Sequence, residues 1–234
     1  MNMSILRCVH NCVKKFTQPA VSYYFCTKVI TQPIEISDTV ISSESEDMSN
    51  NQNKNRIVWI DLEMTGLDVE KDRIMEVACL VTDENLHIVS EEFSTILYQP
   101  DSKLNAMNEW CTNMHSSTGL TEACRRSTED EKSVDRNLLN FMMKYLPKGK
   151  CPMAGNSVYI DRLFLRKYLP LSNEYMHYRI IDVSSIKEVV KRWQPEIHKA
   201  APKKKLNHRA LDDIKESIQE LDYYRNHVFN ANPL

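Results

Sequence analysis

Residues 57–62 (IVWIDL) form an apolar run that ends in two acids, Asp61 and Glu63, one residue apart. A short run of bulky and β-branched residues predicts a buried strand. Two further runs follow at 74–82 (IMEVACLVT) and 88–98 (IVSEEFSTILY), joined by polar turns such as Asp83-Glu84-Asn85. Consecutive strands with short turns predict an antiparallel meander. A helical region is expected over 103–146, broken near Gly119 and stopped at Pro147. A short apolar segment, 151–154, leads into Gly155-Asn156-Ser157 and a helix through Leu169. A strand at 179–183 precedes a helix ending near Trp193, before Pro195. The last helix is expected from near Asn207, with Leu211, Ile214, Ile218, Leu221 and Val228 on one stripe. Strands paired first with each other, then alternating with helices, predict an α/β fold with a mixed sheet flanked by helices.

The chain has 234 residues, enough for one good-sized domain with an extra tail. Residues 1–34 carry Arg7, Lys14, Lys15 and Lys28 without an Asp or Glu, the acid-poor composition of a mitochondrial transit peptide. Residues 35–55 turn polar and acidic and are expected to be a disordered linker, leaving 56–234 as the folded domain. Met48 lies just upstream of that domain, so initiation there would give a cytosolic form.

Seven cysteines, an odd number without a C-x-x-C pair, suggest neither a zinc site nor a disulfide framework. A reduced compartment is the simpler reading. No apolar stretch approaches the ~20 residues that span a membrane, so no membrane partner is expected. Only 4 glycines occur and none forms a phosphate-binding loop, which argues against a dinucleotide or Walker-type site. The formal net charge of −2 offers no general pull on nucleic acid, so such a substrate must be met locally or be short.

Side chains alternate along a strand, so Asp61 and Glu63 share a face and repel after a run that should be buried. A cation between them resolves the conflict, and hard carboxylate oxygens suit Mg2+ or Mn2+ rather than zinc. Asp161 falls in the first turn of the helix after Gly155-Asn156-Ser157, and Asp212 and Asp213 open the last helix. Acids in a first turn are also favoured by the helix dipole alone, and periodicity does not choose between Asp212 and Asp213. His208, four and five residues before them, titrates near neutrality and is a candidate base toward water. The other histidines lack so suggestive a spacing to an acid.

WIDLEMTGLD, AGNS-x-x-x-D, HYR-x-x-DVS and the final H-x-A-x-DD-I-x-ES occur in order over 56–227. Together they resemble the DEDDh exonucleases of the ribonuclease H-like fold, and within them the oligoribonuclease family. The H-x-x-x-x-D spacing of that family selects Asp213. The resemblance implies two Mg2+ or Mn2+ ions held by Asp61, Glu63, Asp161 and Asp213, with His208 as general base. It implies three-prime to five-prime hydrolysis of very short single-stranded RNA, dinucleotides especially, to nucleoside five-prime monophosphates. Leu67 and Trp110 look like the pair that meets the bases, and Ser157, Arg179 and Ser184 like the groups that receive a five-prime phosphate. His177-Tyr178-Arg179 resembles a segment that the partner subunit of a homodimer supplies to the active site, with Tyr178 as the active-site tyrosine. Two features depart from the family pattern: the bulky Val158-Tyr159-Ile160 and the basic Lys203-Lys204-Lys205. The alternatives are a proofreading-type DEDDh nuclease on single-stranded DNA and an inactive RNA-binding protein of the same fold.

Overall fold

The computed structural model describes residues 53–203 and 209–230. The expected transit peptide, most of the linker, Met48 and His208 lie outside them, as do Lys204 and Lys205. Asn53–Asn55, within the expected linker, form a 3-10 turn.

The sheet has five strands: β1 (Ile57–Met64), β2 (Ile74–Thr82), β3 (Phe93–Ile96), β4 (Met153–Gly155) and β5 (Ile180–Asp182), in the order β3-β2-β1-β4-β5. The first three pair antiparallel, as the meander predicts, while β4 and β5 join in parallel. The third strand is shorter than the sequence suggests. Ser90 Oγ accepts the Val81 backbone N–H at 2.9 Å, replacing a ladder bond by a side-chain one, and Leu86 bends at φ 69°. Only a lone bridge joins Thr82 to Ile88 before β3 begins.

The single expected helical region is four helices: α1 (Asp101–Leu104), α2 (Glu109–Ser117), α3 (Leu120–Arg126) and α4 (Glu131–Tyr145). Gly119, at φ 74°, makes the expected break. The others are made by caps: the Asn108 side chain accepts from Cys111 N–H, and Asp130 forms a capping box with Ser133. Then come α5 (Tyr159–Tyr168), α6 (Pro170–Tyr175), α7 (Val183–Trp193), α8 (Pro195–Ala200) and α9 (Ala210–Tyr224), which runs into a π-helical turn, Arg225–Phe229. α7 ends at Trp193 as expected, and Pro195 then opens the short α8, because proline at the first helical position loses no hydrogen bond.

The alternation of β1 divides its neighbours between two apolar layers. Val58, Ile60 and Leu62 pack with Val134, Leu138 and Phe141 of α4 and Phe164 and Leu165 of α5. Trp59 packs on the other face with Ala78, Leu80 and the Ala210, Ile214, Ile218 and Leu221 stripe of α9. Asp61 and Glu63 continue the Trp59 face, so the first turn of α9 arrives over them.

Among the described residues no helix is long and apolar enough to cross a membrane. Cys79, Cys111, Cys124 and Cys151 are buried free thiols.

Candidate active site

Carboxylate oxygens of Asp61, Glu63 and Asp213 all lie within 4.8 Å of one another. Strand alternation supplies the first two and the α9 stripe supplies the third: Asp213 precedes the buried Ile214, on the flank of the stripe that meets β1. Asp212 is exposed and outside the cluster, so packing makes the choice that periodicity leaves open.

Asp161 sits slightly apart. It is 6% exposed, and its Oδ1 accepts the Leu62 N–H at 2.9 Å from the strand that carries the other acids. Burial pushes its carboxyl up from the usual range, and the Leu62 hydrogen bond works against that shift. Gly155, just upstream, allows this approach: a Cβ there would stand 3.1 Å from the Ile60 carbonyl and from Val158 Cγ2. The bulky Val158 is fully buried, with α5 starting directly behind it.

Glu63 is pushed up to about 8, first by burial and then by Asp213, Glu76 and Asp161. An arrangement that raises one of its own acids this far favours a proton or a cation in the cluster. The donor set is hard oxygen without thiolate, which fits a divalent cation such as Mg2+ or Mn2+.

Three neighbours in this site carry no signature in the sequence reading. His115 of α2 is 1% exposed; its Nε2 is 3.0 Å from the Met64 carbonyl and its Nδ1 3.9 Å from Glu63 Oε2. The carbonyl requires a proton on Nε2. Glu76 lies directly opposite Glu63 in the β1–β2 register and is 1% exposed. Arg209 grips it with two hydrogen bonds, at 3.0 and 3.2 Å. One signal was available: Glu76 is the lone charge in IMEVACLVT, a strand buried along its whole length.

Leu67 and Trp110 are both exposed, at 70% and 59%. Leu67 rides on the loop after β1, which Asp72 braces by accepting from the Thr65 hydroxyl and the Asp68 N–H at 3.0 and 2.9 Å. A Cβ at Gly66 would run into that carboxylate. Trp110 opens α2, the helix that brings His115 onto the end of β1.

Of the residues expected at a five-prime phosphate, Arg179 is separated from Ser157 and Ser184. Ser157 and Ser184 come together at the carboxyl ends of β4 and β5, with hydroxyls 3.2 Å apart. His177, Tyr178 and Arg179 precede β5 and lie at its other end. Ile180 is level with Met153 and Val58, so Tyr178 is about five residues, roughly 15 Å along the strand, from Asp61. His177 and Tyr178 stack with centroids 4.5 Å apart, and the Arg179 guanidinium lies 5.3 Å from the Tyr178 ring centre. Tyr178 is 74% exposed. This trio lies at the opposite end of β5 from the acids of its own chain.

The family model for exonucleases of the RNase_T type matches residues 58–221. The chain is 52% identical over 174 residues to the mitochondrial oligoribonuclease of Homo sapiens, covering 74% of this chain and 73% of that one. It is 50% identical to the oligoribonuclease of Pseudoalteromonas atlantica, covering 74% of this chain and 96% of the bacterial one. Among solved structures, the zinc-bound Escherichia coli exonuclease I complex with single-stranded DNA superposes with a TM-score of 0.60 at 17% identity. That match covers 74% of this chain but only 41% of the exonuclease I chain, and it speaks for the fold alone. With acids converging at the end of β1, on a ribonuclease H-like mixed sheet and at this level of identity, the chain belongs to the oligoribonuclease family of exonucleases.

Proposed function

We propose that this chain removes nucleotides from the three-prime end of very short RNAs, dinucleotides especially. The observation that carries this reading is the convergence of Asp61, Glu63 and Asp213, with Asp161 joined to the same strand, in a chain half identical to oligoribonucleases. The four carboxylates would hold two Mg2+ or Mn2+ ions. Such ions, when bound, favour ionisation of the attacking water and offset the charge on the departing three-prime oxygen.

The chain's own groups do the rest. His208, directly before Arg209, takes the proton of the water that attacks phosphorus. The P–O bond to the three-prime oxygen breaks, a proton goes to that oxygen, and a nucleoside five-prime monophosphate leaves. The Glu76–Arg209 clamp tethers the start of α9 to β2, which holds Asp213 in place. Trp110 stacks on a base and Leu67 packs against one. Ser157 and Ser184 receive the five-prime phosphate and close the site to longer chains.

The outward-facing His177-Tyr178-Arg179 trio is best used on a second copy, so the active form is a homodimer in which Tyr178 and Arg179 complete the partner's site. Residues 1–34 direct the chain to mitochondria, 35–55 link them to the exonuclease domain of 56–234, and initiation at Met48 gives a cytosolic form.

The test is the hydrolysis rate on RNAs of two to ten nucleotides, with and without a five-prime phosphate. Rates should be highest for the phosphorylated dinucleotide. Equal rates at every length would overturn the closed site. Faster digestion of long single-stranded DNA would instead favour a proofreading-type nuclease.

A further inference from the structure

Ser157 adopts φ 51°, a left-handed conformation that non-glycine residues seldom take. Its backbone N–H is shared between Asp182 Oδ1 and Ser184 Oγ, both at 3.0 Å. Asp182 Oδ1 also accepts the Ser184 N–H at 2.9 Å, locking the two serines side by side.

Ser184 Oγ has a second donor, Asn156 Nδ2, at 3.3 Å. A hydroxyl oxygen has two lone pairs and one proton. With the Ser157 N–H and the Asn156 amide both directed at it, Ser184 has only its proton left to offer, and the Ser157 hydroxyl 3.2 Å away is the acceptor that a phosphate must displace. The orientation of Asn156 therefore decides whether Ser184 acts as a donor or an acceptor.

That orientation is fixed from α9. Asn156 Nδ2 is 3.1 Å from Glu220 Oε2, and a carboxylate only accepts. The Oδ1 atom of Asn156 is buried without a partner among the described residues, so the amide is held from its NH2 side. Glu220 is itself 2% exposed and is anchored by Lys187 Nζ at 2.8 Å and the Tyr224 hydroxyl at 3.2 Å. Lys187 matches its charge, so Glu220 can orient Asn156 without adding net repulsion toward an anion.

We propose that Glu220 is a positioning residue for five-prime phosphate recognition: it fixes the Asn156 amide and so keeps the Ser184 hydroxyl a donor toward the phosphate. The inference rests on Ser157 and Ser184 being that phosphate site.

The experiment measures kcat and KM of the full-length protein on a dinucleotide with and without a five-prime phosphate. It compares the native chain with Glu220→Gln and Asn156→Ala. Glutamine can turn its own NH2 toward Asn156, which lets the amide flip and draws the Ser184 proton inward. Glu220→Gln should reduce the preference for the phosphorylated dinucleotide by about tenfold, the effect of one charge-assisted hydrogen bond, through KM rather than kcat. The five-prime-hydroxyl substrate should be much less affected. Asn156→Ala, which frees a Ser184 lone pair without capturing its proton, should give a smaller loss in the same direction while leaving the Lys187–Glu220 pair intact, and it decides alone if Glu220→Gln does not fold. A preference retained in the folded variants, or an equal slowing of both substrates, overturns the proposal. Absence of any preference in the native chain overturns the phosphate site itself and this inference with it.

Discussion

Glu63 and Glu76 are register partners on adjacent strands, on the same face and both largely buried, yet their surroundings are opposite. Glu76 is gripped by a guanidinium and by the Ser94 hydroxyl at 3.3 Å. Glu63 faces Asp213 and Asp61, and its proton affinity rises, first through burial and then through Asp213. A buried charge with its partner present is architecture; one surrounded by like charges is prepared for something that is not protein. One register pair, a single residue on each strand, holds both cases.

The largest break in this comparison should come from the acid cluster. Asp161→Ala is expected to lower turnover by about a thousandfold or more while the protein keeps its fold, as a lost metal ligand would. Near-normal rates with Mg2+ would remove Asp161 from the site. Circular dichroism of the same sample separates loss of chemistry from loss of structure.

Glu76→Ala should do the reverse and strike stability first. Removing the carboxylate strands Arg209 and leaves a cavity between β2 and α9, at a cost of about 2–3 kcal/mol in chemical denaturation. An unchanged denaturation midpoint would show that the clamp contributes nothing.

Glu63→Gln sharpens the contrast, because it should abolish activity and yet stabilise the cation-free protein by about 1–3 kcal/mol through relief of buried like-charge repulsion. The folded state holds the Glu63 proton more tightly than the unfolded chain does, so this residue's contribution to stability falls as pH rises from 4.5 to about 8. The stability gap between variant and native chain should therefore open across that range and level off above it. Adding Mn2+ should raise the melting temperature of the native chain more than that of Glu63→Gln. A variant less stable than the native chain at pH 8 without cations would refute the strain.

The smallest effect belongs to a pair far from both. Lys144 and Glu91 meet at 2.8 Å with both side chains mostly exposed, so Lys144→Met should leave the melting temperature and the turnover unchanged. A clear shift in either would mean that surface pairs carry more of this fold than the buried contrast implies.

Local chemistry explains which parts of the fold can be read along the chain. The β1 and β2 runs, the break at Gly119 and the stop before Pro147 depend on alternation, left-handed backbone and missing donors, all of which are properties of neighbouring residues. The splits at Asn108 and Asp130 are equally local, but cap residues are common and announce themselves only when their N3 partner is known. The shortened β3 is different, because Ser90 captures a backbone donor from another strand.

By itself the sequence determined that two acids share one face at the end of a core strand, since alternation is a property of the backbone. Set beside the family motifs, it also pointed to Asp161 and Asp213 as their companions. Tertiary structure alone decided the rest. It brought Arg209 to Glu76 across 133 residues, laid His115 against Glu63 and joined Glu220 to Asn156 across 64. It also set the His177-Tyr178-Arg179 trio at the far end of the sheet from its own acids through the parallel order of β1, β4 and β5. The reason is physical: like charges and hydrogen bonds act over a few ångströms of space, and only chain packing converts sequence distance into that.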